Sequence, residues 1–455
     1  MKMIIILSLN LIIYTSSKLI SVYSIYRHGS RGPIKLDNNS KDFFGNYIEN
    51  KGGLTSYGER MFYIIGIYNR YKYLYNLDFL NKTCNPNEIY FFSSHLDRTI
   101  MSSQSQMLGF CMNSISNKII NDNFIKFTYP PISIFNNNEM KNEINNLNKE
   151  KFSLPHNINL LPMHIYSEKD GRFLQIFSEK CKQTYFKILN DNSKINKILD
   201  KIEEEFNKIY KERFNKYKKE NKYYKFGEIL EITDQYLASY YAGKITKDII
   251  KELNINEEEF LAYSNKIHYN FIIDYLFNDK KGEIYKLEVS LLLRDIINKI
   301  KENINLEKRK KSYKKFNIGS VHDATIMGIQ IFMNSAFKLG NNIYNNIIDI
   351  TYGGSITFEV YKDNKTIYNS NNYYIDYYIN DKFIQRFNFN NFYENINNLI
   401  WDEEKIEEFC NTKTYILKKE ILFLKYIITF LIFCVIIFFF LLFKANFGNN
   451  NNLSS

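Results

Sequence analysis

Internal repeats and flexible linkers are what this sequence lacks. It contains no Pro-, Gly- or Ser-rich stretch, and only 6 Pro and 18 Gly occur among its 455 residues. Because no segment recurs along the chain, a repeat architecture is excluded. Because no stretch is rich in Pro, Gly or Ser, no linker marks a boundary between domains. The length fits one large domain or two modest ones.

Histidine and tryptophan are also scarce, with 6 His and 1 Trp against 37 Tyr and 37 Phe. The histidines His156, His164 and His268 follow no spacing typical of metal ligands. We interpret these three as structural, and we predict neither a metal site nor any other cofactor.

The composition is that of a globular protein. Apolar residues make up 45% of the chain and charged residues 24%, which excludes a disordered chain. The net charge of +11 would suit an anionic partner, but the lysines are spread along the whole chain. A solvated, lysine-rich surface is therefore favoured over nucleic-acid binding, and the basic run at 308–311 is interpreted as a solvated loop.

Two apolar segments predict the compartment. Residues 1–17 combine Lys2, an apolar run at 4–14 and small residues before Ser17, which is the pattern of a secretory signal peptide. The run 426–443 carries no charge over 18 residues and predicts a transmembrane helix, followed by a short cytoplasmic tail at 444–455. The two segments together predict a type I membrane protein of the secretory pathway with its main domain, 18–415, on the luminal or extracellular side. A lipid anchor in place of the helix is the alternative.

The cysteines agree with an oxidising compartment. Cys434 lies in the apolar run, which leaves four others that can pair in three ways, and spacing alone does not choose among them. These four are Cys84, Cys111, Cys181 and Cys410. Sequons for glycosylation begin at Asn38, Asn81 and Asn364.

Periodicity predicts strands and helices in a mixed order. Strands are predicted at 19–26, 88–93 and 315–321, with a hairpin at 355–360 and 367–368. Helices are predicted at 54–75, after the segment 94–99 up to about Cys111, and at 191–224, 257–277 and 284–304. We therefore expect an α/β fold, with a mixed central sheet flanked by helices and a helical cap within about 130–305.

Polar side chains stand where three of these strands end. Arg27 and His28 follow the first strand, Arg98 follows the second, and His322 and Asp323 follow the third. Because ligands of open α/β sheets bind beyond the carboxyl ends of the strands, we expect these side chains to meet in one crevice.

The residue types in these clusters suit phosphoryl transfer. Arg27, Arg31 and Arg98 provide planar guanidinium forks for a phosphate group. Nearby positive charge keeps His28 neutral, so that its imidazole can attack phosphorus. Gly29 leaves room for close backbone approach, and its carbonyl oxygen is expected to fix the imidazole tautomer.

The second cluster supplies the remaining groups. Asp323, in its neutral form beside His322 and a bound phosphate, is the expected proton donor to the leaving alcohol. A protonated His322 would add one more donor to the phosphate oxygens. The arginines supply the positive charge that Mg²⁺ supplies elsewhere, so the reaction needs no metal.

Four segments, in order, resemble the histidine acid phosphatases, branch 2 of the histidine phosphatase superfamily. Residues 27–33 match the pattern Arg-His-Gly-x-Arg-x-Pro, and His322-Asp323 is similar to the second signature of the family. The segments 53–58 and 97–102 resemble its Gly-x-Leu-Thr-x-x-Gly stretch and the stretch that carries its third phosphate-binding arginine. The resemblance covers about 22–410.

That resemblance implies a phosphoglycerate-mutase-like fold and a phosphomonoester substrate hydrolysed through a phosphohistidine. It implies the nucleophile His28 and the proton donor Asp323, with phosphate bound by Arg27, Arg31, Arg98 and His322. It also implies the disulfides Cys84–Cys111 and Cys181–Cys410. Ala324-Thr325 stands where acid phosphatases of the family commonly have two threonines and phytases have Thr-Asn. This departure argues against a phytase and leaves the substrate open. An inactive relative that serves as a membrane-tethered binding or adhesion protein is the alternative.

Overall fold

The computed structural model describes most of the predicted main domain. It describes residues 17–48, 50–112, 138–149, 159–167, 170, 172–173, 177–190, 193–277, 284–339, 344, 347–363 and 372–411. Outside them lie 1–16 of the predicted signal peptide, the predicted membrane span and tail, and the predicted strand 367–368. Within the described ranges, no helix is both long and apolar enough to cross a membrane.

One mixed sheet of seven strands forms the centre of the described chain. The strands are β1 Ser17–Arg27, β2 Ile89–Ser94, β3 Met163–Tyr166, β4 Phe316–Val321, β5 Ser355–Asp363, β6 Tyr373–Ile379 and β7 Lys382–Asn388. Their order is β3-β2-β4-β1-β5-β6-β7. The first four run parallel to one another, and β5, β6 and β7 add as antiparallel neighbours. The predicted mixed sheet is therefore confirmed, with β3, β6 and β7 as strands that the sequence patterns missed.

Helices precede, connect and follow these strands along the chain. They are α1 Ser56–Arg70, α2 Asp97–Cys111, α3 Asn138–Lys149, α4 Lys182–Asn190, α5 Ser193–Ile209, α6 Lys211–Lys218, α7 Phe226–Tyr241, α8 Lys247–Leu253, α9 Glu257–Asn270, α10 Tyr285–Lys308, α11 Asp323–Phe337, α12 Phe389–Leu399 and α13 Glu403–Cys410. Single π-helical turns, Tyr71–Asn76 and Phe271–Leu276, prolong α1 and α9. The helices predicted at 54–75, 257–277 and 284–304, and the one predicted to end at about Cys111, are thus confirmed.

The central strand β1 lies between β4 and β5, and its side chains from Ile20 to Arg27 are buried on both faces of the sheet. Since side chains alternate along a strand, Val22 and Tyr26 join the apolar core that includes Phe62 of α1 and Phe110 of α2. Tyr23 points the other way, and its hydroxyl donates a hydrogen bond to Asp295 of α10 over 3.3 Å. Helices on both faces therefore hold the carboxyl ends of the parallel strands in place.

Helices α5 to α9 follow β3 and precede β4 in the chain, and they share a second apolar core. Phe206, Phe214 and Phe260 are buried at its centre, and Phe44 from the segment after β1 packs among them. The helical insert 193–277 therefore has its own core in addition to the core of the sheet.

The single helix predicted over 191–224 is wrong in its second half. The structure has two helices that meet at Tyr210, and α6 ends at Lys219, whose φ of 55° is left-handed. Asn207 explains the early end, because its side-chain amide bonds both the N–H and the C=O of Tyr224 at 2.8 Å. These bonds turn the chain back along α5, a device that helical periodicity does not reveal.

Two disulfides lie in two compact units of the chain. Within the larger unit, 1–175 and 192–401, Cys84 and Cys111 are bonded. Within the smaller, 176–191 and 402–455, Cys181 and Cys410 join the start of α4 to the end of α13. The pairing implied by the resemblance is thus the pairing in the structure, and such bonds are typical of oxidising compartments.

Candidate active site

The carboxyl ends of β1 and β4 lie side by side. Arg27 is in register with Val321, and the backbone N–H of His28 donates to the carbonyl oxygen of Val321 over 3.0 Å. The strand pairing therefore places Arg27-His28 next to His322-Asp323, although nearly 300 residues separate them in the chain. The rings of His28 and His322 lie 5.8 Å apart, centroid to centroid.

The imidazole of His28 is buried, with 2% of the residue exposed. Its Nδ1 lies 2.9 Å from the carbonyl oxygen of Gly29, so this nitrogen carries the proton and donates. Nε2 is then the atom with the free lone pair. Burial, followed by the charges of Arg98 and Arg27, lowers the pKa of His28 well below its usual value.

Gly29 allows this geometry because the backbone of α1 approaches it closely. A Cβ added to Gly29 would lie 2.6 Å from the carbonyl oxygen of Gly58. The N–H of Gly29 also donates to the hydroxyl of Ser102 on α2 over 3.0 Å. The close backbone approach expected at Gly29 is confirmed, and a carbonyl oxygen of this turn lies within hydrogen-bond distance of Nδ1 of His28.

Three arginine side chains surround His28. Arg27 and Arg31 are buried, and Arg98 stands in the first turn of α2. Burial and the charge of Arg31 lower the pKa of Arg98 to about 10, which shows how little negative charge surrounds it. The Nε atoms of Arg27 and Arg98 are buried without a hydrogen-bond partner among the described residues. The cluster therefore has spare donors and an excess of positive charge, as an anion site requires.

Two helix N-termini add to the positive potential of the arginine cluster. Arg98 lies in the first turn of α2, and α11 starts at Asp323, directly after β4. Unpaired backbone N–H groups at the start of a helix favour an anion, so two helices of 15 residues each direct their positive ends to the carboxyl edge of the sheet.

His322 and Asp323 have opposite surroundings. Nε2 of His322 lies 2.9 Å from the hydroxyl of Ser94, and burial followed by the charge of Arg98 lowers the pKa of His322 to about 3. Burial alone would raise the pKa of Asp323, but Arg27, at 2.7 Å, and His268 outweigh it and hold that pKa well below its usual range. These shifts favour a neutral His322 and a carboxylate at Asp323.

The sequence patterns missed several residues of the site. Asp234 on α7 forms a bidentate pair with Arg31, with its two oxygens 2.6 and 3.3 Å from the guanidinium nitrogens. The ring of Tyr352 lies beneath the guanidinium of Arg27, 4.4 Å away. Neither stands in a motif or at the end of a parallel strand, so no sequence signal pointed to them.

His268 requires a correction. It was interpreted as structural, but its Nε2 lies 3.1 Å from Oδ2 of Asp323. His164 fits the structural interpretation, since its ring stacks on Tyr90 at 4.2 Å, while His156 lies outside the described residues. Within the part of the chain that the structure describes, no group of three or more His, Cys, Asp or Glu side chains is arranged to hold a metal ion.

Comparisons with known proteins agree with this architecture. Rat (Rattus norvegicus) prostatic acid phosphatase is 22% identical over 372 residues, which cover 79% of this chain and 80% of the relative. The phytase of Citrobacter braakii superposes with a TM-score of 0.54 at 15% identity, covering 87% of this chain and 100% of that chain. The apo phytase of Hafnia alvei gives 0.50 at 12% identity, covering 85% and 98%. The two structural matches show a shared fold.

The family itself follows from the match over most of the chain. Residues 18–380 match the family model described as histidine phosphatase superfamily (branch 2). The chain therefore belongs to branch 2 of the histidine phosphatase superfamily.

Proposed function

We propose that this protein is an acid phosphatase that hydrolyses phosphate monoesters through a phosphohistidine at His28. The observation that carries this proposal is the state of the His28 ring. It is buried among three arginines, its Nδ1 proton is held by Gly29, and its Nε2 lone pair is free. A histidine that stays neutral at acidic pH can act as a nucleophile where an ordinary histidine would be protonated.

Substrate binding exchanges carboxylates for phosphate. Arg27 pairs with Asp323 and Arg31 pairs with Asp234 in the unliganded site. A phosphate group carries more charge than either carboxylate and bonds several arginines at once, so it competes for these guanidinium groups. Arg27, Arg31, Arg98 and His322 are the phosphate-binding residues of the proposal.

Chemistry then proceeds in two displacements. Nε2 of His28 attacks phosphorus while the bond to the leaving oxygen breaks, and Asp323 gives that oxygen a proton. Water then attacks the phosphohistidine, Asp323 takes the proton of this water, and phosphate leaves. When Arg27 turns to the phosphate, Asp323 loses the ion pair that lowers its pKa most. The pKa of Asp323 then rises, so that its carboxyl group holds a proton more readily.

Turnover of an aryl phosphate at pH 5 by the purified luminal domain, 18–415, tests the proposal. We expect His28→Ala to abolish turnover, and we expect rapid quenching in alkali with ³²P-labelled substrate to trap an alkali-stable, acid-labile phosphoenzyme in the wild type only. A chelator should leave the rate unchanged. A folded wild-type protein without turnover would favour the binding or adhesion protein, and full activity in His28→Ala would refute the nucleophile.

We further propose that the signal at 1–17 directs the chain into the secretory pathway and that 426–443 anchors it, with the tail 444–455 in the cytoplasm. Two disulfides and the exposed sequon positions Asn38 and Asn81 support a luminal or extracellular domain. Deletion of 426–455 should move the activity from the carbonate-washed membrane fraction to the medium. Activity that stays with membranes after that deletion would contradict the anchor.

A further inference from the structure

His268 comes from the helical insert and stands in neither of the two signature motifs. It lies in the last turn of α9, and its side chain is 13% exposed. Its Nε2 is 3.1 Å from Oδ2 of Asp323, the residue proposed to give the leaving oxygen its proton. The helical insert therefore reaches the acid of the reaction directly.

The two oxygens of Asp323 have different partners. Oδ1 accepts the N–H of Ala324 over 2.8 Å, which fixes the carboxylate at the start of α11. Oδ2 contacts both Arg27, at 2.7 Å, and His268. When a phosphate draws Arg27 away, the contact between Oδ2 and His268 remains.

We propose that His268 is the positioning residue of the acid, and that His268 and Asp323 share the proton that goes to the leaving oxygen. This inference rests on the proposed function. As the bond from His28 to phosphorus forms and the bond to the leaving oxygen breaks, the shared proton moves to that oxygen. When water attacks phosphorus and the bond to His28 breaks, a proton of this water returns to the pair. Every proton is thereby accounted for.

The charges around the pair suit one shared proton. Besides Asp323, His268 acts electrostatically on Asp234 of α7 and on Asp349, and it lies 3.5 Å from Arg27. Burial raises the pKa of Asp349, and its Oδ1 is buried without a hydrogen-bond partner among the described residues.

Other charged or titratable groups act on Asp323 itself. They are Arg27, Arg31, Arg98, His28, His322 and Asp349, with the hydroxyl of Tyr352. A phosphate dianion offsets the arginines in this set. The contact of Oδ2 with His268, at 3.1 Å, is then the one that orients Asp323.

Two esters with different leaving groups test this role. Nitrophenolate leaves without protonation, whereas the alkoxide of glycerol 2-phosphate must be protonated as it leaves. For His268→Gln, which keeps a hydrogen-bond donor but cannot share a proton, we expect kcat/KM on the alkyl ester to fall at least about 10-fold more than on nitrophenyl phosphate. His268→Ala should show the same difference between its losses of kcat/KM on the two esters. In both variants the pH profile of kcat/KM on the alkyl ester should be narrower than in the wild type.

A matched control separates position from chemistry. His164→Gln replaces a histidine that stacks on Tyr90, outside the site, and should leave the ratio of the two esters as in the wild type. Equal losses on both esters, or wild-type rates on the alkyl ester in His268→Gln, would overturn the inference. Failure of the proposed function looks different, since the wild type would then turn over neither ester or His28→Ala would retain activity.

Discussion

Replacing Arg98 by Met is expected to stabilise the unliganded protein while removing its response to phosphate. Burial and Arg31 lower the pKa of Arg98 from 12.5 to about 10. Below pH 10 the guanidinium is charged in both the folded and the unfolded chain. The free-energy cost of holding this charge in the folded site is therefore fully present at pH 5. At about 1.4 kcal/mol for each tenfold change in the proton equilibrium, the upper bound of this cost is about 3.5 kcal/mol. Relaxation and solvent screening reduce the expected gain in the free energy of unfolding to about 1–2 kcal/mol.

Thermal unfolding at pH 5, with and without inorganic phosphate, measures both effects. The wild type should gain about 2.7 kcal/mol when phosphate is present at 100 times its Kd. Arg98→Met should start from a midpoint about 1–4 °C higher and gain much less. The control Arg213→Met, on α6 in the helical insert, should keep the wild-type response. A lower midpoint in Arg98→Met together with an undiminished response to phosphate would refute the reasoning.

Three further predictions concern single features of the fold. His322 should titrate near pH 3 and His28 well below 6.5 in NMR spectra of the ¹³C-histidine-labelled protein. The free energy of unfolding should fall as the pH drops from 6.5 towards 3, because only the unfolded chain takes up protons at these two rings. Ordinary titration of both rings near pH 6.5 would contradict the prediction. Gly29→Ala should cost about 1–3 kcal/mol in urea unfolding and most of the activity, since its Cβ would lie 2.6 Å from a backbone oxygen, and unchanged values would disprove that contact. Replacing Cys84 and Cys111 by Ser should cost about 3–4 kcal/mol for a separation of 27 residues, and an unchanged urea midpoint would argue against the bond.

Local sequence patterns predicted the parts of the fold that repeat with a simple period or carry a rigid motif. The strand at 19–26 and the helices that end near 111 and span 284–304 could be predicted, because their apolar side chains recur along the chain at the spacing of a strand or a helix. The helix predicted over 191–224 failed at Lys219, where Asn207 bonds the backbone of Tyr224 from the preceding helix. Such a bond between side chain and backbone, 17 residues apart, leaves no trace in periodicity.

The site shows the same division. Asp234, His268 and Tyr352 contact Arg31, Asp323 and Arg27, but each comes from a segment without a motif. His268 matched no metal-ligand spacing and was therefore assigned a structural role. Only tertiary packing brings Asp234 and His268 from the insert helices, and Tyr352 from the segment before β5, to the strand ends.

By itself, the sequence determined the candidate reactive groups and their attachment to strand ends, because the proposed nucleophile His28, its glycine turn and the arginines Arg27 and Arg31 form one contiguous motif. The parallel pairing of β1 with β4 could be anticipated from those strand ends. Tertiary structure alone decided the charge state of the site. The low pKa of His28 and of His322 arises from burial among distant arginines, and that of Asp323 from Arg27 and His268. Electrostatic energies depend on distances in space and on exclusion of water, and neither is written in the order of residues.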